Sequence, residues 1–393
     1  MIFAQGGSNY SIFGIGDIYS NGTAFYESLG GTSIAVPSDY AINLSNPALW
    51  AKNVTTRLQA GYRFNQNVIY NQNNSLFQNN GKVDGLFGIF ALDTSNGLDM
   101  SFGIYPYSSV NYLTNTSSLV KLDTLKVLSQ TNFQGSGGLT NAYVGFAVNI
   151  INDLSFGASI FATFGVIQNQ ITTSFPGNSF QSSTNYRNDE FIGYGFRAGI
   201  FYSGIENLGL GAYIESHPNL IVSSSLYYTY SALSQDTLIT CPDSKVKLPD
   251  SYGFGASYTL GKFLFASDLS LQDFTGFNYN QNTKAQYKKS MQLTLGMSRL
   301  GNKSINARFF DRSNYNIGFG FRELYTSVEG NNINEYFGSV GMDMHVVGTA
   351  IINLAFTLGS RGLNTENLVK EWFGRLTVDL SIGESWFHPF RRE

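Results

Sequence analysis

Residues 372–382 alternate between apolar and polar side chains almost without interruption. One face carries Trp372, Leu376, Val378, Leu380 and Ile382, and the other carries Glu371, Arg375, Thr377, Asp379 and Ser381. A period of two indicates a β-strand whose two faces meet different surroundings. The polar face holds both signs of charge, and similar segments recur along most of the chain. This pattern is typical of a closed transmembrane barrel with a polar lumen.

The composition supports the same fold class. Charged residues make up 13% of the 393 residues, aromatic residues make up 15%, and there are 42 glycines against 8 prolines. Few charges with abundant glycine and aromatic residues suit spanning strands, tight turns and an aromatic girdle. No run of about 18 apolar residues is available to form a membrane-spanning helix. The sequence therefore predicts an all-β, transmembrane antiparallel β-barrel of about fourteen strands with an N-terminal plug in the lumen.

Several classes of function are disfavoured. The net charge of −3 gives no electrostatic reason to expect a nucleic-acid partner. A single cysteine, Cys241, excludes an internal disulfide and lacks the companion ligands of a zinc site. His217, His345 and His388 are scattered, and none lies near a nucleophile with an orienting acid. We therefore expect no enzyme activity, no cofactor and no metal.

The chain divides into four parts. Residues 1–5 have the character of a signal-peptide remnant, and residues 6–53, rich in Gly, Ser and Asn, are predicted to form a compact plug with a short helix over residues 40–50. Residues 54–385 carry the strand pattern of the barrel. Trp386 and Phe387 suit an interfacial anchor at the start of a polar tail, residues 386–393.

The connections alternate in length. Short turns are predicted at residues 94–97, 151–153, 203–207 and 260–262, and long polar loops at residues 65–82, 108–138, 168–190, 231–246 and 276–288. Short turns on one side and long loops on the other are typical of barrels in the bacterial outer membrane of Gram-negative cells. We expect the long loops outside and both termini in the periplasm. Residues 119–128 have helical spacing, and their apolar members, Leu119, Val120, Leu122, Leu125 and Val127, are predicted to fold over the mouth as a groove.

Motifs in the plug and in the middle of the chain resemble the FadL-type long-chain fatty-acid transporter family of outer-membrane proteins. In the plug, the resemblance lies in residues 27–35, with Gly30 and Gly31, and in Asp39 and Asn46-Pro47-Ala48. In the middle of the chain it lies in Leu248-Pro249-Asp250, Gly253, Gly255, Asp268 and Phe274.

That resemblance implies a hatch that plugs a fourteen-stranded barrel and a lateral exit for substrate at a kinked third strand. The third strand is expected at residues 97–107, with Gly103 and Tyr105 next to Pro106. Proline lacks a ladder donor, so Pro106 either opens the wall or ends the strand at the membrane surface. Both interpretations stay open.

Inward-facing residues are the substrate-binding candidates. The charged ones, predicted to pair with one another or with the plug, are Arg57, Arg63, Arg197, Arg322, Arg375, Asp99, Asp268, Asp343, Glu371 and Asp379. Arg197 and Arg322 are candidates for a substrate carboxylate, because Gly193, Gly195, Gly318 and Gly320 are expected to leave space beside them. The aromatic ones, Tyr105, Phe161, Phe201, Phe337 and Phe373, either line an apolar pocket or pack on the plug.

Together these features predict passive outer-membrane transport of hydrophobic small molecules, long-chain fatty acids or hydrocarbons, through a hatch-plugged barrel with a lateral exit near the third strand. The partners are then a hydrophobic small-molecule substrate and outer-membrane lipid, and the protein is a monomer with or without an accessory protein complex. Two alternatives stay open: a FadL-like barrel acting as a scaffold or shuttle in protein secretion or surface assembly, and a general porin for hydrophilic solutes.

Overall fold

The computed structural model describes residues 7–19, 22–71, 74–122, 125–176, 180–217, 219–230, 237–280, 285–302, 304, 307–346, 348–364 and 368–384. The residues predicted as a signal remnant, the anchor Trp386 and Phe387, and the polar tail lie outside these ranges.

Fourteen antiparallel strands close into one barrel, as predicted. The wall strands are β1 (Thr56–Asn71), β2 (Asn74–Asp93), β3 (Leu98–Pro106 and Ser108–Leu122), β4 (Leu125–Ile151), β5 (Leu154–Ser174), β6 (Ser183–Ile205), β7 (Leu208–Ser216 and Asn219–Tyr230), β8 (Thr237–Thr240, Ser244–Lys247 and Ser251–Leu260), β9 (Phe263–Asp273), β10 (Ala285–Tyr287 and Lys289–Arg299), β11 (Asn314–Val328), β12 (Asn331–His345), β13 (Ile351–Arg361) and β14 (Lys370–Glu384). Strand β1 pairs with β14 from Thr56↔Glu384 to Tyr70↔Lys370, which closes the wall.

Alternation along the strands sets the two faces of the wall. In β14, Leu376 and Ile382 are 45% and 54% exposed, whereas Asp379 is 1% exposed. The apolar side chains therefore point outward and the charged ones into the lumen, as the period of two requires.

Three of the predicted long loops are wrong, because the strands continue through them. Strand pairing runs to Asn71↔Asn74 between β1 and β2, to Leu122↔Leu125 between β3 and β4, and to Thr173↔Ser183 between β5 and β6. Strand β4 therefore has 27 residues, against 11 for β9. Both faces of these extensions are rich in polar residues, which removes the alternation that marks a strand although backbone pairing persists. We call the hairpins β1–β2, β3–β4 and β5–β6 the extended hairpins.

The helix predicted over residues 119–128 is also wrong. Leu119 pairs with Leu128 in the β3–β4 hairpin. The side chain of Leu119 is 69% exposed, so it projects into solvent instead of folding over the mouth. The side chains of Leu122 and Leu125 lie outside the described part of the structure.

The N-terminal segment, residues 7–53, contains little regular structure. It has 3-10 helices at Asn9–Ile12 and Pro47–Lys52, a two-residue strand at Asp17–Ile18, and the helix α1 at Ala24–Ser28. The predicted helix over residues 40–50 is present only from Pro47 onward. Upstream, the Asn43 side chain accepts the backbone N–H groups of Ser45 and Asn46, a local bond that competes with helix formation.

Outside the barrel wall and this segment, one further helix, α2 (Phe309–Arg312), lies between β10 and β11. Across the described ranges, the helices are all too short and too polar to traverse a bilayer.

Candidate functional site in the barrel lumen

Residues 22–53 fit against a belt of glycines on the inner face of the wall. Replacing any belt glycine by a residue with a Cβ would bring that carbon within 2.0–2.8 Å of the N-terminal segment. The belt consists of Gly157, Gly199, Gly211, Gly255, Gly296, Gly318 and Gly341. Gly157 pairs with Gly199, Gly211 with Gly255, and Gly296 with Gly318, so the belt follows the register of the sheet. Glycine is required here because two backbones approach each other closely.

The residues of the predicted hatch motif make the closest of these contacts. Asn46 is fully buried, donates from Nδ2 to the carbonyl oxygens of Ile34 and Ile200 at 2.9 Å each, and caps the helix that begins at Pro47. Gly30 has a φ of +71° and donates its N–H to Ser339 Oγ at 2.9 Å. Ala48 is fully buried.

Two other motif residues lie at the rim of that contact. Gly31 has a φ of +85° and continues the turn after α1. Asp39 is half-buried and lies close enough to Arg57 to interact with it electrostatically.

Lumen carboxylates hold residues 22–53 through backbone N–H groups. Asp379 accepts from the N–H of Ala24 at 2.5 Å, and Asp268 accepts from Ser33 and Ile34 at 2.5 and 2.8 Å. These bonds satisfy donors that a short irregular segment leaves without a helical or strand partner.

Glu27 of α1 is the charged centre of this contact. Its carboxylate lies 3.2 Å from Arg63 and 2.8 Å from Arg375, and it accepts from Thr377 Oγ1 at 2.5 Å. Arg63 also pairs with Asp84 at 3.0 Å. A buried carboxylate requires such partners, because an unpaired charge in the interior is costly.

Residues 7–19 are held differently, by polar contacts with two parts of the wall. Asp17 pairs with Arg361 at 2.8 Å, and Glu371 accepts from Ser8 Oγ at 2.6 Å and from the N–H of Asn9 at 2.7 Å. The strand Asp17–Ile18 pairs antiparallel with Ser109 and Ser108 of β3.

That short strand lies where the wall itself is broken. Pairing between β2 and β3 runs from Asp93↔Leu98 to Leu86↔Ile104 and stops there among the described residues. After Pro106 and Tyr107 the strand resumes at Ser108, still paired with β4 but no longer with β2. Gly103, Tyr105 and Pro106, the predicted lateral opening, lie at this break.

Side chains and the N-terminal segment bridge the break. Lys82 Nζ of β2 donates to Ser109 Oγ at 2.5 Å, and the N–H of Gly7 donates to the carbonyl of Asn111 at 2.8 Å. The outer side of the break carries a surface depression of about 400 Å³ lined by residues that include Leu86, Pro106 and Leu139.

An apolar cluster connects the mouth of the barrel to this break. It contains Ile15 of the N-terminal segment, the wall residues Tyr107, Val110, Tyr112, Leu139, Ile167, Phe191, Leu220, Val222, Val246, Leu248 and Tyr325, and Phe274, Phe277 and Tyr279 from the β9–β10 connection. Tyr107 and Leu139 place one end of the cluster at the break itself. We call this set the mouth cluster.

A cavity of about 110 Å³ lies beside the cluster and has a largely polar lining, including Asp17, Glu215, Asp268, Gln272 and Arg322. Sites for drug-sized ligands have volumes of about 300–1,000 Å³. The cavity is therefore too small for a long hydrophobic molecule without a rearrangement.

The two arginine candidates for a substrate carboxylate have protein partners. Arg197 is 4% exposed and bonds to Glu215 and to the carbonyl of Leu44. Arg322 pairs with Glu335 at 2.9 Å and donates to the carbonyl of Ile18 at 2.8 Å, at the edge of the polar cavity.

The prediction that four glycines leave space beside these arginines is wrong. Phe161 covers Gly195, Leu220 covers Gly193, Phe337 covers Gly320, and the backbone at Gly30 covers Gly318. Aromatic rings and a second backbone fill the volume because a glycine exposes sheet surface that another group can cover.

The aromatic candidates are spread over several sites. Phe201 packs with Ala48 and Leu49 of the N-terminal segment, and Phe161 and Tyr105 share a cluster with Trp50. Phe337 and Phe373 border a separate cavity of about 60 Å³ near Arg361. The structure therefore does not bring the five aromatic side chains together.

The remaining lumen charges also occupy defined positions. Asp343 accepts from Asn314 and Asn316 at 3.1 Å each, while the ring of His345 packs edge-on against Tyr40. Asp99 is fully buried, and no described residue donates a hydrogen bond to its carboxylate. Nowhere in the described ranges do three or more His, Cys, Asp or Glu side chains form a group that could hold a metal ion.

Sequence reasoning missed Asp17, Arg361, Tyr325 and the belt. Tyr325 donates to the carbonyl oxygens of Phe13 and Gly16 at 2.9 and 2.7 Å, which fixes the N-terminal segment under the mouth. For the belt, the available signal was the recurrence of glycine at inward positions of successive strands. For the three side chains the sequence offered no signal.

Comparison with known proteins identifies one matching family. The family model described as BamG matches residues 1–392. No curated protein matches the chain.

Solved structures of similar fold include hydrocarbon channels. The Pseudomonas putida toluene transporter TodX is 16% identical, with a TM-score of 0.63 over 94% of this chain and 99% of that one. The CymD monoaromatic hydrocarbon channel is 13% identical, with a TM-score of 0.62 over 96% and 100%. A FadL homologue of Pseudomonas aeruginosa is 11% identical, with a TM-score of 0.64 over 95% and 100%. At these identities the likeness is one of fold.

Proposed function

The chain belongs to the BamG family, and we propose that it is a passive outer-membrane channel for hydrophobic small molecules, long-chain fatty acids or hydrocarbons. In this proposal, substrate enters at the mouth and leaves sideways at the break near Pro106. The extended hairpins face the outside, and residues 6–53 act as the hatch.

One observation carries this proposal: the mouth cluster is continuous with the broken part of the wall. Leu139 belongs to the cluster and lines the outer depression, and Tyr107 of the cluster lies between the two parts of β3. A hydrophobic molecule can therefore remain in contact with apolar side chains from the mouth to the lipid. The structural neighbours named as hydrocarbon channels support the same class of substrate.

The residues of the lumen have roles that need no external energy source. The wall excludes lipid, the polar cavity excludes long apolar molecules from the lower lumen, and residues 7–19 cover the break from inside. We propose that these residues, with Arg322 holding the carbonyl of Ile18, form the gate that substrate must displace.

Cross-linking across the break tests the lateral exit. Lys82→Cys and Ser109→Cys in a Cys241→Ser background place thiols on β2 and β3, and a short bismaleimide would join them. We expect uptake of a fluorescent long-chain fatty acid and of toluene by complemented deletion cells to fall more than tenfold.

The matched control joins two strands that are already paired. Asp273→Cys and Lys289→Cys lie opposite each other on β9 and β10. This cross-link should leave uptake unchanged. Equal uptake with and without the first cross-link would rule out the lateral exit, and normal uptake after deletion of the whole protein would rule out transport.

A second candidate function is favoured by the filled lumen. The cavity has a volume of only about 110 Å³, and residues 22–53 pack against the glycine belt. Both features also suit a FadL-like barrel that acts as a scaffold or shuttle in protein secretion or surface assembly. A protein complex that co-purifies stably with the barrel, together with unchanged uptake in the deletion strain, would support this function over transport.

A further inference from the structure

Part of one connection of the chain fills the middle of the mouth cluster. Residues 274–280, between β9 and β10, place Phe274, Phe277 and Tyr279 in the interior at 0%, 3% and 3% exposure. Thr275, Gly276 and Asn278, between them, are exposed. The segment is therefore a cover with one face in solvent and one face made of aromatic rings. We call it the stopper.

The stopper lies against apolar wall surface that faces the lumen. Phe274 stacks on Tyr325 with ring centroids 4.4 Å apart, and Tyr279 meets Phe191 edge-on at 5.0 Å. Leu220 and Val222 of β7 complete this surface, and both are 1% exposed. Apolar side chains that point into the lumen form a surface on which a hydrophobic molecule would bind.

Phe277 occupies a compartment built from other aromatic rings. Its ring meets Phe274 edge-on at 5.5 Å and Tyr287 edge-on at 5.1 Å, with Tyr279 at 6.4 Å. Gly14, at a φ of +55°, approaches the same ring from the N-terminal segment. Edge-to-face contacts on several sides favour an aromatic ring over a flexible alkyl chain.

Hydrogen bonds as well as ring contacts attach the stopper to its surroundings. The N–H of Phe274 donates to the carbonyl of Lys288 at 3.3 Å, and Asn280 Nδ2 donates to the carbonyl of Ile12 at 3.5 Å. Thr275 donates from its N–H and its Oγ1 to Asp273 at 3.0 and 2.8 Å.

Tyr279 donates to Asp189 at 2.6 Å, and Tyr287 donates to the carbonyl oxygens of Tyr279 and Asn280 at 2.7 and 2.9 Å. Among the described residues, none from 274 to 280 belongs to a strand. None of these bonds belongs to the pairing of the wall strands, so the loop can move without breaking the wall.

We propose that the stopper is an internal occupant of a hydrophobic binding site, and that the ligand is a single-ring aromatic molecule that takes the place of the Phe277 ring. This inference rests on the proposed function, since it identifies where substrate first binds. It also accounts for the small volume of the two cavities described in the resting lumen, about 110 and 60 Å³. Binding then requires residues 274–280 to move outward. Ile15, one of the gate residues 7–19, belongs to the same cluster as Phe277, so this movement also changes the contacts of the gate.

A tryptophan reporter tests this displacement. In the full-length Phe277→Trp variant, saturating toluene should shift the emission of the new tryptophan to longer wavelength and increase its quenching by acrylamide. The control is Phe319→Trp on the outer wall, where Phe319 is 61% exposed, and it should show neither change. Calorimetry on the same samples measures toluene binding independently.

The outcomes separate the inference from the proposed function. Toluene binding without a change at position 277 would overturn the stopper and leave transport standing. Absence of binding by both toluene and palmitate would count against both.

A second variant measures the energetic role of the ring. Phe277→Ala should raise toluene affinity several-fold, because no side chain has to be displaced. Phe87→Ala, which removes a ring that is 2% exposed in another cluster, is the matched cavity control. An equal gain in both variants would mean that any new cavity binds toluene, and would overturn the inference.

Discussion

The two parts of the N-terminal segment are held in contrasting ways. Residues 22–53 meet glycine backbone on belt strands of the wall, with buried carboxylates bonded to their N–H groups. Residues 7–19 contact β13 and β14 through an ion pair and side-chain hydrogen bonds, and they contact the break through a two-residue strand. The first contact combines close approach of two backbones on seven strands with the ion pairs of Glu27, whereas the second relies on side-chain contacts and one short strand. The contrast indicates that residues 22–53 form a fixed part of the barrel, whereas residues 7–19 are suited to move.

The largest effect is expected from filling the belt. Gly318→Leu would place a Cβ 2.0 Å from the backbone nitrogen of Gly30, so residues 22–53 could not pack against the belt. We expect loss of the folded, heat-modifiable form on gels and rapid proteolysis of the segment. Gly338→Leu is the control, since its Cβ would lie 3.6 Å from the nearest atom. Wild-type protease resistance in Gly318→Leu would contradict the role of the belt.

Removal of the charge on α1 should have the next largest effect. Glu27→Ala leaves Arg63 and Arg375 without this carboxylate in the lumen. Breaking a buried ion pair costs about 3–5 kcal/mol of unfolding free energy, measurable from denaturant midpoints. Glu323→Ala removes the partially exposed Lys288 pair and should cost about 0–1 kcal/mol. Similar losses in both variants would show that burial does not distinguish the two pairs.

A smaller and local effect is expected from the other part. Asp17→Asn weakens the bond to Arg361 but leaves the seat of residues 22–53 intact. We expect a several-fold faster reaction of a thiol-directed dye with a cysteine at position 109, in a Cys241→Ser background, with little change in the unfolding midpoint. Asp93→Asn, at an exposed turn, is the control. A large loss of stability in Asp17→Asn would erase the contrast between the two parts.

Acid should remove the contribution of Glu27 to the fixed part only at low pH. Burial raises the pKa of Glu27, but Arg63 and Arg375 lower it by more, so the net pKa lies below its ordinary value. A carboxyl with a lowered pKa contributes stability that is complete above its unfolded pKa and is lost as pH falls through the folded pKa. The contribution of Glu27 to the protease resistance of residues 22–53, measured as the difference between wild type and Glu27→Gln, should therefore be constant from about pH 8 to about pH 5 and should decrease only in stronger acid. The Glu27→Gln variant should lack this acid-dependent step.

Sequence reasoning predicted the spanning wall because lipid and lumen impose opposite preferences on alternate residues. Inward placement of Arg63, Asp268 and Asp379 followed from that period alone. The extended hairpins were missed because solvent on both sides leaves no such contrast between alternate residues. The belt was visible as recurring glycine, but which backbone covers Gly318 depends on contacts between residues nearly 300 positions apart, as Gly30 and Gly318 show. The stopper was predicted as part of a polar loop, and the burial of its aromatic rings was missed for the same reason.

The belt also constrains the order of assembly. Residues 22–53 are made before any wall strand, yet Gly318, Ser339 and Asp379, which hold them, are made last. The segment cannot make these contacts until the C-terminal strands arrive. We expect it to enter before β1 pairs with β14, so that closure of the barrel and enclosure of the segment occur in one step. A late folding intermediate should have a formed but open sheet and a protease-sensitive N-terminus.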